Sequence, residues 1–209
     1  SVTLFGLGHQ EGGTAPAGVP TFEVVIGYGT DGDDSGLAAA FSPDGQRMVV
    51  AGAYQSLGAP FEPVLGFPLR SGEHAFVHVL DSAGEDAWIT SSGVGPNTAT
   101  VFPHDVALDD GGVATLVGGF DGVLAFNTNN ASFADGDMFV ARVTGHETAA
   151  WLSVHGSSNP SFYDHAVGVV IEPSDGSTYF TGNVVDMVVL GGGHTLEGTG
   201  EETFIAKMD

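Results

Sequence analysis

Residues 163–209 read YDHAVGVVIEPSDGSTYFTGNVVDMVVLGGGHTLEGTGEETFIAKMD, and the order of features in this stretch decides the fold. Asp164 heads an alternating apolar run, a Pro/Asp/Gly turn follows, and a second run closes on Thr181-Gly182. Two apolar runs separated by such a turn make an antiparallel hairpin. A Gly-rich excursion then leads to a last β-like run over residues 202–209.

The same order occurs twice more upstream, which is the signature of a repeat architecture. Residues 34–43, DSGLAAAFSP, overlay residues 164–173, DHAVGVVIEP, without a gap, and the middle copy is residues 101–109, VFPHDVALD. Second strands follow at 47–52, 113–118 and 177–182, each ending in Gly. Third strands follow at 74–81, 137–144 and 202–209, in which Phe76, Phe139 and Phe204 recur at spacings of 63 and 65. A fourth strand opens on an aromatic residue with Gly five positions later, as in Trp88…Gly93 and Trp151…Gly156; Phe22…Gly27 upstream matches. Strand alternation sends Trp88, Thr90 and Ser92 to one face and Ile89 and Ser91 to the other.

Four antiparallel strands recurring at this period read as propeller blades. The pattern resembles the bacterial β-propeller repeat family of secreted proteins, in its δ-proteobacterial and myxobacterial form. In that family an Asp-headed first strand leads to a second strand ending in Thr-Gly and a third of the type Asp-Ala-Phe-Val. The resemblance spans nearly all of residues 21–209; Val101, where the leading Asp should be, departs from it. It implies a propeller fold and brings no common enzymatic residues with it.

The expectation is therefore an all-β protein of about three four-stranded antiparallel blades. Residues 1–29 hold N-terminal strands, with 30–93, 94–156 and 157–209 as the blades. The last blade has three of its four strands, while residues 21–29 supply a spare fourth. Three blades do not comfortably enclose a ring, since propellers use about 4–8. The chain is then a piece of a larger propeller, a partner in a ring shared by two chains, or a unit whose open edges grow into a filament. Phe22, Val24 and Ile26 on the spare strand, with Phe204 and Ile205 on the open one, are the expected assembly residues.

Composition narrows the partners. Twenty-six Asp+Glu against four Lys+Arg give a formal net charge of −22, which excludes a nucleic-acid backbone or an anionic membrane as partner. Calcium, a basic protein or a salty medium suits such a surface. There is no cysteine, hence no disulfide or thiolate chemistry. No apolar run is long enough to span a bilayer. Ser1 in place of a start methionine points to processing or trimming, and the few lysines and many glycines to export, whether secreted, periplasmic or at the cell surface.

Calcium is the one candidate cofactor. Asp31-Gly-Asp-Asp-Ser-Gly36 has the spacing that opens an EF-hand loop, with Asp31, Asp33, Asp34 and Ser35 as ligands, but Ser42 stands where the closing acid belongs. An Asp/Gly turn explains the same residues. His74 and His78 share a strand face but lie about 13 Å apart, too far to share an ion. His104 and His165 both sit near the start of a first strand and could meet near the axis. His146-Glu147 lacks the second His of a zinc protease. Ser153, His155 and Asp164 suggest no triad, and no nucleophile elbow, P-loop or dinucleotide fingerprint occurs.

These residues favour a non-catalytic extracellular scaffold or accessory subunit, joined to itself or a protein partner by strand complementation. The alternatives are a calcium-dependent module binding glycan or protein and, third, a propeller hydrolase or lyase.

Overall fold

The structure, a computed structural model, describes residues 32–55, 73–92, 100–126, 129–145, 148–157 and 164–209. Among them every regular element is a strand, as the two-residue alternation and frequent Gly turns require. A first meander runs through β1 (Asp34–Phe41), β2 (Arg47–Gln55), β3 (Glu73–Asp81) and β4 (Asp86–Ser91). A second runs through β5 (Thr100–Leu108), β6 (Ala114–Phe126), β7 (Asn129–Thr144) and β8 (Thr148–His155), and a third through β9 (His165–Ile171), β10 (Thr178–Gly191) and β11 (His194–Met208). Within each meander every strand is antiparallel to the next. A single parallel pairing, Glu73 with Thr100, joins the first two into one eight-stranded sheet; the third is a separate three-stranded sheet. No sheet closes on itself among the described residues.

The meanders pack face to face. Val49, Ala51, Val77 and Val79 of the first share a core with Leu116, Phe139, Ala141 and Val143 of the second. Val117, Met138 and Val140, on the other face of the second, share a core with Ala166, Phe180, Val184 and Phe204 of the third. Neighbours such as Phe139 and Val140 point opposite ways because successive strand residues alternate. The second meander is thus buried on both sides, which explains near-continuous apolar runs such as residues 138–141.

Two local devices repeat three times. Gly52, Gly118 and Gly182 pair with Phe76, Phe139 and Phe204, and each lies under that ring and against a first-strand carbonyl, of Ser35, Phe102 and His165. Only a residue without Cβ fits so close an approach. Each first strand also carries a bulge, which leaves Leu37, His104 and Val167 unpaired with the neighbouring strand, and all three side chains are exposed. A bulge re-aims one residue and increases local twist.

The excursions after the second strands, expected as loops, are strands where they are described. β6 and β7 stay paired out to Phe126 and Asn129, and β10 and β11 out to Gly191 and His194. Three successive left-handed glycines, Gly191, Gly192 and Gly193, close the latter hairpin. Phe126 is fully buried with its ring 6.1 Å from that of Phe139. Apolar cover for the hairpin outweighs the Gly-rich composition that suggested a loop. Asp135 and Asp137 sit within β7, where Gly136 takes a left-handed conformation beside the bulge facing Phe120 and Gly122.

Candidate functional site

The first strands bring their polar residues together. The His104 and His165 rings meet edge to face at 5.4 Å, and His104 Nδ1 donates to the Ala166 carbonyl at 2.9 Å. Asp105 accepts from the Val106 amide at 2.9 Å and, with its other oxygen, from Val169 at 2.8 Å. Its carboxylate therefore ties β5 to β9, leaving the two imidazoles without an acid that could complete an ion site. Among the described residues no group of three or more His, Asp or Glu is gathered as a metal would need. The approach of His104 to His165 is the one the sequence suggested; the tie through Asp105 had no signal in it, because its repeat equivalents are Ala38 and Gly168.

Asp164, the residue that heads the repeat, is almost fully buried. Its oxygens accept from the Ser157 amide at 2.7 Å and the Val185 amide at 2.8 Å, and its own amide donates to Gly136 at 2.8 Å. It is a junction between the end of β8, the middle of β10 and β7. It is therefore committed away from Ser153 and His155, which do meet: Ser153 Oγ lies 2.8 Å from His155 Nε2. His155 Nδ1 lies 3.0 Å from the Val189 carbonyl. A carbonyl only accepts, so Nδ1 carries the proton and Nε2 accepts from the serine. That is a nucleophile-and-base arrangement in miniature, but the ring is buried between β8 and β10 and its orienting partner is a backbone carbonyl. It stitches the second meander to the third.

Burial lowers the His155 pKa, opposed by the Val189 hydrogen bond; burial likewise lowers His78, opposed by Asp86 at 2.9 Å. A histidine with a depressed folded value takes up its proton first in the unfolded chain. The stability it supports is present above the unfolded value of about 6.5 and is lost as pH falls through the folded value. Acidification also neutralises this acidic surface, so the test is a difference of slopes. Melting temperature between pH 7.5 and 5 falls more steeply for the native chain than for a His78→Gln/His155→Gln variant; equal slopes would refute the assignment.

The described cations Arg47, Arg142 and Lys207 are each held by an oxygen. Arg47 donates to the Asp110 carbonyl at 2.7 Å, Arg142 pairs with Asp109 at 2.6 Å, and Lys207 with Asp209 at 3.1 Å. With Trp88 Nε1 on the Gly112 carbonyl at 3.1 Å, the two arginines fasten the 109–112 turn to the neighbouring strands. Of the calcium candidates, Asp31 lies outside the described residues. Asp33 precedes β1 with its carbonyl taken by the Gln55 amide, and Asp34 and Ser35 are successive residues of β1. An extended strand sends successive side chains to opposite faces, so Asp34 and Ser35 do not converge on one centre as the loop spacing suggested.

Among the described residues the outer face of the third meander carries exposed apolar side chains. Strand registers make Val77, Val140 and Ile205 equivalent, as they make Val49, Thr115 and Tyr179, and Ala40, Ala107 and Val170. Val77 and Val140 are 0% exposed, each covered by the next meander, whereas Ile205 is 80% exposed, Val170 62% and Tyr179 36%. Lys207 lies over the Tyr179 ring at 5.7 Å. The edge of the same meander is open too: among the described residues β11 pairs with β10 alone. Of the expected assembly residues, Phe204 is buried against the second meander and Ile205 stands out on this face; Phe22, Val24 and Ile26 lie outside the described residues. Sequence reasoning picked Ile205 from its strand but missed Val170 and Tyr179, although aligning the repeats position by position marks them. No family model matches the chain, and no curated protein is significantly similar to it in sequence.

Proposed function

We propose that the protein is a non-catalytic, exported scaffold whose meanders are propeller-type blades, and that it enters a larger assembly through the third meander. The observation that carries this is the repeat row in which Val77 and Val140 are sealed and Ile205 is bare. A face built by the same sequence rule as two interior faces is built to be covered, and exposed contiguous apolar surface marks interaction sites. Beside it the β11 edge, which pairs with β10 alone among the described residues, offers a template for strand addition. The few lysines and many glycines fit export, and the acidic surface keeps the assembly away from nucleic acid. The contacts of His155 with the Val189 carbonyl and of His104 with His165 and the Ala166 carbonyl serve cohesion between meanders.

Light scattering tests the reading directly. The native chain runs at a multiple of its single-chain mass. Ile205→Asp, which places a charge at the centre of the face without touching the interior, shifts it to the single-chain mass with its β circular dichroism unchanged. A native chain of single-chain mass at all concentrations would sink the proposal.

A further inference from the structure

We infer that the outer face of the third meander packs on the same face of a second copy, about a two-fold axis parallel to β10, so that Ile205 of each copy fills a notch at Gly168 of the other. This rests on the assembly reading above and adds its occupant and geometry.

Strand register puts the knob and the notch on one row. Thr181 of β10 is opposite Ile205 on β11 and opposite Gly168 on β9, and residues directly opposite one another share a sheet face. The row therefore runs Gly168, Thr181, Ile205 across two strand spacings, about 10 Å. At one end Ile205 stands 80% exposed. At the other Gly168 has no side chain, and among the described residues a Cβ there would meet only the Thr181 methyl at 3.2 Å and Asp105 Oδ2 at 3.9 Å. The next row brings exposed Val170 and Tyr179 beside it, so the notch has an apolar wall.

A two-fold axis lying between the stacked sheets and parallel to β10 turns this row onto itself. β11 of one copy then lies over β9 of the other, and Ile205 meets Gly168 twice in one interface. Such an isologous contact closes at two copies. An axis running across the strands stacks β11 on β11 instead and leaves both notches empty, which forfeits the contacts their linings would make.

Charge agrees with shape. The chain carries 26 Asp+Glu and a formal net charge of −22, so two copies repel wherever their acids face each other. The Gly168–Thr181–Ile205 row holds no acid; nor do the row of Val170, Tyr179 and Lys207 on one side and the pair Asn183 and Thr203 on the other. The Asp105 carboxylate beside the notch is already held by the Val106 and Val169 amides. The two Lys207 side chains fall at opposite edges of the stack.

Exchanging knob and notch tests the geometry. In light scattering Ile205→Gly and Gly168→Ile each run at the single-chain mass, and the double variant Ile205→Gly/Gly168→Ile returns to twice that mass. Circular dichroism follows folding in each. Thr181 lies on the axis and faces its own copy, so a second test does not depend on position 168. Thr181→Arg and Thr181→Asp chains each run at the single-chain mass because like charges meet, and their one-to-one mixture forms a dimer. A Gly168→Ile chain that keeps a multiple of the chain mass, a folded double variant that stays at the single-chain mass, or a Thr181→Arg and Thr181→Asp mixture that stays there would each overturn the inference. If Gly168→Ile does not fold, the mixture decides. A native multiple with any of these failures refutes this geometry and leaves the assembly reading standing; a native chain of single-chain mass refutes both.

Discussion

Gly118→Ala lowers stability by about 3 kcal/mol or more, roughly 10 °C in melting temperature for a chain of this size. A Cβ at this position falls inside the contact radius of the Phe102 carbonyl oxygen and 2.9 Å from both the Phe139 ring and the Pro103 Cα. Of these only the ring is free to move, and it is buried between two meanders. Relief therefore requires β5 to shift off β6, which also loosens the Asp105 tie to β9. Gly45→Ala makes the control. Gly45 is left-handed at φ 69° with nothing near its would-be Cβ, so that change costs only the local conformational penalty of about 1 kcal/mol. Combining Gly118→Ala with Phe139→Leu does not restore stability, because the carbonyl contact persists. Thermal denaturation of the four proteins checks this; a Gly118→Ala chain as stable as Gly45→Ala would show that the glycine marks the repeat without serving its packing.

That glycine was legible in the sequence as the last residue of each second strand, but its reason was not. The reason needs the first-strand carbonyl and the third-strand ring at one point, two contacts made by residues far apart in the chain. Strand order and facing were legible for the same cause that makes the repeats detectable: alternation and the recurrence of Phe76, Phe139 and Phe204 survive because each copy must fit its neighbours. The gap-free overlay of residues 34–43 on 164–173 holds in space down to the bulge, since Leu37 and Val167 occupy the same unpaired position. The hairpins beyond Gly119 and Gly182 were misread because Gly and Asn at a strand end look like a loop until tertiary cover decides.

The candidate site was half legible. Ile205 follows from its place on β11, and the His104 and His165 approach from both lying near the start of a first strand. Of Asp31, Asp33, Asp34 and Ser35, the last two lie in β1, whose start at Asp34 the ligand spacing does not reveal. Spacing implies convergence only in a loop; in a strand, successive residues such as Asp34 and Ser35 diverge.

Asp164→Ala lowers stability by about 3–5 kcal/mol, while Asp164→Asn costs about 2 kcal/mol. The carboxylate accepts one backbone amide at each oxygen, Val185 at 2.8 Å and Ser157 at 2.7 Å, in a site closed to water. Alanine leaves both N–H groups buried without acceptors, and each such loss costs roughly 1–3 kcal/mol. Asparagine keeps one acceptor and turns an NH₂ towards the other amide, so one contact survives. Because Ser157 ends the stretch after β8, Val185 lies in β10 and Gly136 holds the Asp164 amide, the loss falls where the second and third meanders join. Hydrogen exchange resolves it by residue: protection of the Val185 amide drops in both variants or in the alanine variant alone, according to which oxygen asparagine retains, while amides of β2 and β3 keep their native protection relative to global stability. The His155 contacts to Ser153 and Val189 do not include Asp164, so the His155 titration is unmoved in Asp164→Asn. A shift of the His155 pKa in that variant would place the carboxylate in electrical contact with the imidazole and revive the triad that the geometry argues against.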